Sequence, residues 1–210
     1  MLIKVPASVP KALIEGAIAR GQGKSTTGAQ LDSITFEALL PPNIALIADI
    51  ETDNKIRTLS DLKLVVKKAG GLSSATAFYF SRRGRAVFRP KEGGPSFSDL
   101  LDEAIEHEGA EDVEEGPDGK LIVWTEPTML MAITEAFSKK LDLDLLEADI
   151  IWSAKDDTAV ESDSRDTADS LDNLLGGLRE YPEVKAIYAN VRQGALTDEQ
   201  WDKVERHLDV

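Results

Sequence analysis

The sequence of 210 residues contains no cysteine. This absence excludes a disulfide framework, a thiolate zinc site and a cysteine nucleophile, and it favours a reducing compartment over secretion. Long apolar runs are also absent: the nearest one, residues 44–50, is interrupted by Asp49 and is much shorter than the about 20 residues that span a bilayer. Residues 1–6 form neither a signal peptide nor a transit peptide. We therefore expect no membrane insertion.

Common catalytic and ligand-binding patterns are missing as well. His107 and His207 are isolated in the sequence and suggest neither a metal site nor a catalytic triad. Residues 111–118 are acidic but lack the order of an EF-hand loop, and no glycine-rich phosphate loop occurs. We predict no metal, no cofactor and no catalytic residue. The alternative is a hydrolase that uses Asp156 and Asp157, but adjacent residues of a strand point to opposite faces.

The net charge of −14 hides an asymmetry along the chain. Up to Lys91, 14 Lys and Arg residues stand against 7 Asp and Glu residues, whereas from Glu92 onward the count is 10 against 31. A basic lobe can release counterions from a nucleic acid even when the whole protein is acidic. The alternative is that both lobes are simply solvated.

The first half of the sequence shows two strand patterns and one helix pattern. Residues 34–38 alternate apolar and polar side chains, which predicts a strand buried on one face. Residues 44–50 are almost continuously apolar, which is typical of a central strand. Residues 59–69 repeat apolar side chains at helical spacing, and Thr58 is a suitable N-cap.

A basic hairpin is predicted next. Apolar residues at 78–80 and 87–88 flank the segment Ser-Arg-Arg-Gly-Arg at 81–85, where Gly84 would adopt the positive φ of a turn. Gly-Gly-Pro at 93–95 follows at the point where the charge balance changes. We interpret it as a domain boundary.

The second half mixes helices and strands. Amphipathic patterns predict helices at residues 97–105, 130–141 and 168–178, and strands within residues 112–125, 148–152 and 184–191. Because these elements do not alternate strictly, we predict an α+β fold in which helices lie on one face of an antiparallel or mixed sheet.

Several strings resemble signatures of the YebC/PmpR family, which includes mitochondrial translational activators of cytochrome c oxidase. The string TDNKIRT at residues 52–58 resembles the family's TDNxxRT. Five further strings follow the order that they have in the family. Residues 10–23 resemble its MPxxxIxxAIxxGxG, residues 68–71 its KxGG and residues 80–84 its MFxxxG. Residues 109–115 resemble its GAEDVEE, and residues 184–190 its VxxVYxN. This ordered set makes a chance similarity improbable.

The resemblance implies a ferredoxin-like domain formed by residues 32–91 with 165–192, into which an acidic α+β domain at 95–162 is inserted. Residues 1–23 would be the remnant of an N-terminal helical domain, and residues 193–210 a C-terminal tail or helix. The family's usual opening and most of its helical bundle are missing, through truncation, a misplaced start codon or real loss. The family's GPGG turn is replaced by Leu-Pro-Pro-Asn at 40–43, so this turn must differ.

The same resemblance implies a regulator of gene expression that is not an enzyme. We expect a monomeric translational activator that binds mRNA or the ribosome, in the mitochondrial matrix or alternatively in the cytoplasm. A DNA-binding transcriptional regulator is the alternative function.

The candidate residues form two groups. The first would bind phosphates or unpaired bases, unless its members pair with carboxylates of the same chain; it comprises Arg20, Lys24, Arg57, Arg82, Arg83, Arg85 and Arg89. The second would cap and turn the chain around the predicted helix, with Arg57 holding Asp53 in an ion pair; it comprises Thr52, Asp53, Asn54, Thr58, Gly70 and Gly71.

Overall fold

The computed structural model describes Ile18, residues 30–91 and residues 93–209. Its strands and helices are, in chain order, β1 (Asp32–Leu40), β2 (Ile44–Thr52), α1 (Lys55–Lys68), β3 (Leu72–Ser73), β4 (Phe80–Arg89), α2 (Phe97–Glu106), β5 (Ala110–Glu115), β6 (Leu121–Thr125), α3 (Leu130–Lys140), β7 (Asp144–Ala154), β8 (Val160–Glu161), α4 (Arg165–Arg179), β9 (Val184–Ala189), β10 (Val191–Arg192) and α5 (Asp198–Glu205). The fold class is α+β, as predicted. The predicted helical remnant at residues 1–23 lies outside the described residues, apart from Ile18.

The described chain divides into two compact units. The first comprises the described residues up to Ala77 together with Thr158–Asp209, and the second comprises Phe78–Asp157. The first unit has a sheet with the strand order β3-β1-β2-β9, in which all neighbours are antiparallel. A short parallel pair, β10 with β8, lies in the same unit.

The core of the first unit forms between this sheet and the apolar faces of α1 and α4. Strand β2 buries every residue from Ile44 to Ala48, in agreement with its continuous apolar pattern. Helix α1 contributes Leu62 and Val66, which are fully buried, and α4 contributes four leucines at helical spacing. Each such side chain stabilises the fold by about 1.5–3 kcal/mol relative to an exposed position.

The second unit has an antiparallel sheet with the strand order β5-β6-β4-β7. Its core joins Phe88 of β4 and Val123 of β6 to Leu100 of α2 and to Ile133 and Phe137 of α3. The helices therefore cover the sheet face to which Ala86 and Phe88 point.

The predicted hairpin at residues 81–85 is wrong. These residues lie inside the continuous strand β4, which pairs with both β6 and β7. Gly84 is needed for close packing and not for a turn, because a Cβ there would lie 2.3 Å from Thr125 Oγ1 and 3.0 Å from Leu130 Cβ. A basic strand that contains a glycine has the same local sequence features as a basic turn, so the pattern could not separate the two.

The boundary predicted at residues 93–95 lies inside the second unit. Strand β4 lies within residues 32–91, the predicted first domain, but it is a central strand of the second sheet. Its arginines therefore belong to an acidic unit, in which residues 78–157 contain 9 Lys and Arg residues against 19 Asp and Glu residues. Residues 30–77 and 158–209 contain 11 against 18, so the described part of the first unit is not the basic lobe that the sequence order suggested.

Candidate nucleic-acid interface

The signature string at residues 52–58 forms the connection from β2 into α1. Asn54 is the N-cap of the helix, and its side chain accepts a hydrogen bond from Arg57 N. The buried hydroxyls of Thr52 and Thr58 lie 2.8 Å apart, and Asn54 N donates to Thr52 Oγ1 at 3.0 Å. The N-cap role predicted for Thr58 is therefore wrong, because the helix begins one turn earlier and Thr58 faces the core.

Arg57 also lies at this connection, where it contacts two carboxylates. Its Nη2 is 3.4 Å from Asp53 Oδ1 and 3.3 Å from Glu183 Oε1, while 56% of its side chain remains exposed. The predicted pairing with Asp53 is present. Because exposed ion pairs are weak, about 0–1 kcal/mol, Arg57 can still exchange a carboxylate for a phosphate.

Gly70 and Gly71 end α1. Gly70 adopts φ +79°, a conformation that favours glycine after a helix. Gly71 has a different reason, because a Cβ there would lie 2.9 Å from Val66 Cγ1 and 3.0 Å from Leu39 O. The two glycines therefore allow β3 to approach β1 directly after the helix.

The four arginines of β4 separate into two kinds. Arg83 Nε donates to Glu111 Oε2 at 2.6 Å and its guanidinium lies 4.7 Å from the Trp124 ring centroid. Arg85 Nη1 lies 3.5 Å from Glu147 Oε2. Only 24% and 22% of these two side chains are exposed, so both are largely occupied within their own unit. The predicted alternative of pairing with carboxylates of the same chain thus describes Arg83 and Arg85.

Arg82 and Arg89 are the exposed arginines of β4. The Arg82 guanidinium lies 4.7 Å from the centroid of the Trp152 ring, a distance typical of a cation–π contact. Arg89 forms no ion pair with any residue that the structure describes. The two remaining candidates, Arg20 and Lys24, lie outside the described residues.

Helix α1 carries cations that the sequence analysis did not single out. Lys63, Lys67 and Lys68 are exposed, and none forms an ion pair within residues 30–91 and 93–209. We call these three residues the α1 lysine patch. The whole helix holds five Lys and Arg residues against one Asp. This local excess of cations was visible in the sequence. Only the structure shows that no described carboxylate forms an ion pair with the three lysines.

Residues 31–191 match the family described as "TACO1/YebC second and third domain". The chain belongs to the TACO1/YebC family. Among its relatives, a "Probable transcriptional regulatory protein" of Xanthomonas oryzae pv. oryzae is 34% identical over 194 residues, which are 90% of this chain and 76% of that protein. Another of the same description, from Aquifex aeolicus, is 33% identical over 187 residues, 88% and 72% of the respective chains.

A solved structure shows the same fold. The crystal structure of a conserved hypothetical protein from Aquifex aeolicus superposes with a TM-score of 0.68 at 32% identity, and covers 87% of this chain and 73% of that one. The family assignment from the signature strings is thereby confirmed. This TACO1/YebC member belongs among regulators of gene expression, the class that the names of its relatives give.

Two further observations concern the described part of this TACO1/YebC chain. Its helices include none that is long and apolar enough to cross a membrane. Across residues 30–91 and 93–209, no three His, Asp or Glu side chains are grouped so that they could hold a metal ion.

Proposed function

We propose that this protein regulates gene expression without catalysis, as a translational activator that binds RNA, either free or on the ribosome. The observation that carries the proposal is the α1 lysine patch. Three exposed lysines without described ion-pair partners lie on one helix of an otherwise acidic unit. Lysines are suited to phosphates as point charges, and their binding releases the counterions that surround a polynucleotide.

The position of the patch also supports RNA binding. Lys67 and Lys68 lie in the last turn of α1, where the partial negative charge of the helix end holds cations in place. Arg57 lies at the first turn of the same helix, about 15 Å away at 1.5 Å per residue. Cations that can meet phosphates therefore lie near both ends of the helix.

The charge of the rest of the chain limits the size of the nucleic acid that fits. Carboxylates outnumber cations in the described residues of both units. A long duplex that extended past α1 would meet the carboxylates of the first unit, whereas a short single-stranded or ribosomal segment would not. The distribution of charge therefore favours RNA segments over extended duplex DNA.

Salt dependence tests the proposal. The variant Lys63→Ala/Lys67→Ala/Lys68→Ala should fold, because alanine favours helices. Binding of an unstructured RNA oligonucleotide is measured between 50 and 200 mM salt, about the range over which phosphate contacts weaken most visibly. We expect weaker binding and a log–log salt slope smaller by about 2, since each phosphate contact contributes about 0.7 for single strands.

The matched control is Lys139→Ala, which removes an exposed lysine that is paired with Glu135 in the second unit. It should leave both affinity and slope unchanged. An unaltered slope in the triple variant would contradict the proposal.

A DNA-binding transcriptional regulator is the second candidate, and the names of the relatives favour it. Competition between duplex DNA and single-stranded RNA of equal length at matched salt separates the two functions. Preference for the duplex would support the transcriptional role.

A further inference from the structure

One end of the β4–β7 strand pair in the second unit carries three aromatic rings and two cations. We call it the aromatic end, and it consists of Phe78, Tyr79, Arg82, Trp152 and Lys155. The Phe78 and Tyr79 ring centroids lie 4.2 Å apart, and Arg82 lies over the Trp152 ring. Lys155 Nζ donates to Phe78 O at 2.9 Å.

The strand register brings these residues together. Arg82 pairs with Trp152, and Phe80 pairs with Ala154. Lys155 N then donates to Tyr79 O at 2.9 Å, which extends the ladder by one bond. Phe78 and Tyr79 lie in a short 3-10 turn, Ala77–Tyr79, that leads directly into β4. The turn and the paired strands therefore place two ring systems at one end of the strand pair, the first on the turn and the second on the sheet.

The exposure of Phe78 is not explained by the packing of the second unit. Its side chain is 62% exposed, although a phenyl ring is among the largest apolar groups. The adjacent Tyr79 ring contacts the Phe78 ring at an interplanar angle of 33°, and most of the Phe78 side chain stays open to solvent. An exposed aromatic ring beside cations is the arrangement with which proteins stack unpaired bases.

We propose that the aromatic end stacks unpaired bases of single-stranded RNA on Phe78 and on the Arg82–Trp152 pair, with Lys155 near the phosphates. This inference rests on the proposed RNA binding and adds the site that contacts bases. Bases in a duplex are stacked on both faces and cannot enter such a site. Asp156 and Asp157 follow directly in the chain and repel further phosphates, so we expect a footprint of about two or three nucleotides.

The first test measures the affinity of the full chain for a fluorescent decauridine and for a matched RNA duplex. Phe78→Ala should weaken single-strand binding about 5- to 150-fold, the range that corresponds to the loss of one stacked base. The control is Phe97→Ala, which removes another partly exposed phenyl ring of the same unit from α2. This control should bind like the wild type.

The second measurement uses the unaltered protein and does not depend on how a variant folds. A 5-iodouracil-substituted RNA is photocrosslinked, and the attached peptides are mapped. We expect crosslinks at Phe78 or Trp152.

The outcomes distinguish this inference from the proposed function. Equal binding by Phe78→Ala and wild type, with crosslinks only elsewhere, would overturn the stacking site and leave the α1 lysine patch intact. If Phe78→Ala lost only ribosome association and not RNA binding, the aromatic end would contact protein and the inference would be wrong. If the wild type bound no RNA at any salt concentration, both would fail.

Discussion

The change Asn190→Ala should destabilise the first unit more than any exposed substitution in it. Asn190 is fully buried and is the last residue of the VxxVYxN-like string. Its Oδ1 accepts from Ala45 N at 2.7 Å, and its Nδ2 donates to Thr158 O at 2.6 Å. The amide thus joins the start of β2 to the segment that precedes β8.

The magnitude follows from the groups that the change leaves without partners. Ala45 is fully buried, so its N–H could not turn to water, while Thr158 is half-buried and its carbonyl could in part be hydrated. An unsatisfied buried group costs about 1–3 kcal/mol, and we expect a total loss of about 2–4 kcal/mol. That is a large part of the about 5–15 kcal/mol that stabilise a typical domain.

Equilibrium unfolding in urea, followed by circular dichroism, measures this loss in the free energy of unfolding. Hydrogen exchange at the Ala45 amide gives a local measure and should become faster in the variant. The matched control is Asn173→Ala, because Asn173 is exposed on α4 of the same unit and should change stability by less than about 0.5 kcal/mol. Equal stability of the two variants would refute the argument.

Two further predictions concern packing and pH. Gly71→Ala should destabilise the first unit by about 1–3 kcal/mol through overpacking. Gly177→Ala on α4 should stabilise it by up to about 1 kcal/mol, because a Cβ there would lie 3.4 Å from the nearest side chain. Thermal unfolding compares the two variants. Burial raises the pKa of Glu103, but hydrogen bonds from Lys140 and His107 outweigh this, so its pKa lies below the ordinary value. Its contribution to stability is therefore present above the ordinary pKa of about 4.3 and lost as the pH falls further. Acid titration of Glu103→Gln should show a weaker loss of stability than wild type; identical curves would contradict this.

The sequence was most informative where one residue pattern corresponds to one environment. The alternation in β1 and the continuous apolar run in β2 predicted both strands. A strand buried on one face needs an apolar side chain at every second position, and a strand buried on both faces needs one at nearly every position. The helix pattern at 59–69 predicted α1 for the same reason. Its start was misplaced because Thr58 and Asn54 are both good caps, and only the tertiary contact of Thr58 with Thr52 selects Asn54.

The sequence was least informative where the role of a residue depends on distant partners. Gly84 was assigned to a turn, but its lack of a side chain accommodates Thr125 and Leu130 from two other elements. Likewise, Arg83 and Lys63 are both cations in polar segments. Arg83 lies against Glu111, 28 residues away in sequence, whereas Lys63 has no such partner among the described residues. Arg83 and Lys63 therefore differ in their ability to bind a phosphate. The ion pair that causes the difference cannot be read from the order of residues in the sequence.

The way the chain enters and leaves the second unit has a consequence for evolution and engineering. Phe80 and Ala154 are paired across neighbouring antiparallel strands, so the segments that enter and leave this unit lie about 5 Å apart at this pair. An inserted domain whose ends lie so close together can be added to a loop of another domain, lost from it or exchanged. The backbone of that other domain does not have to change its conformation. Accordingly, residues 78–157 could be transplanted as a single cassette, and a few glycines could take their place in the parent chain.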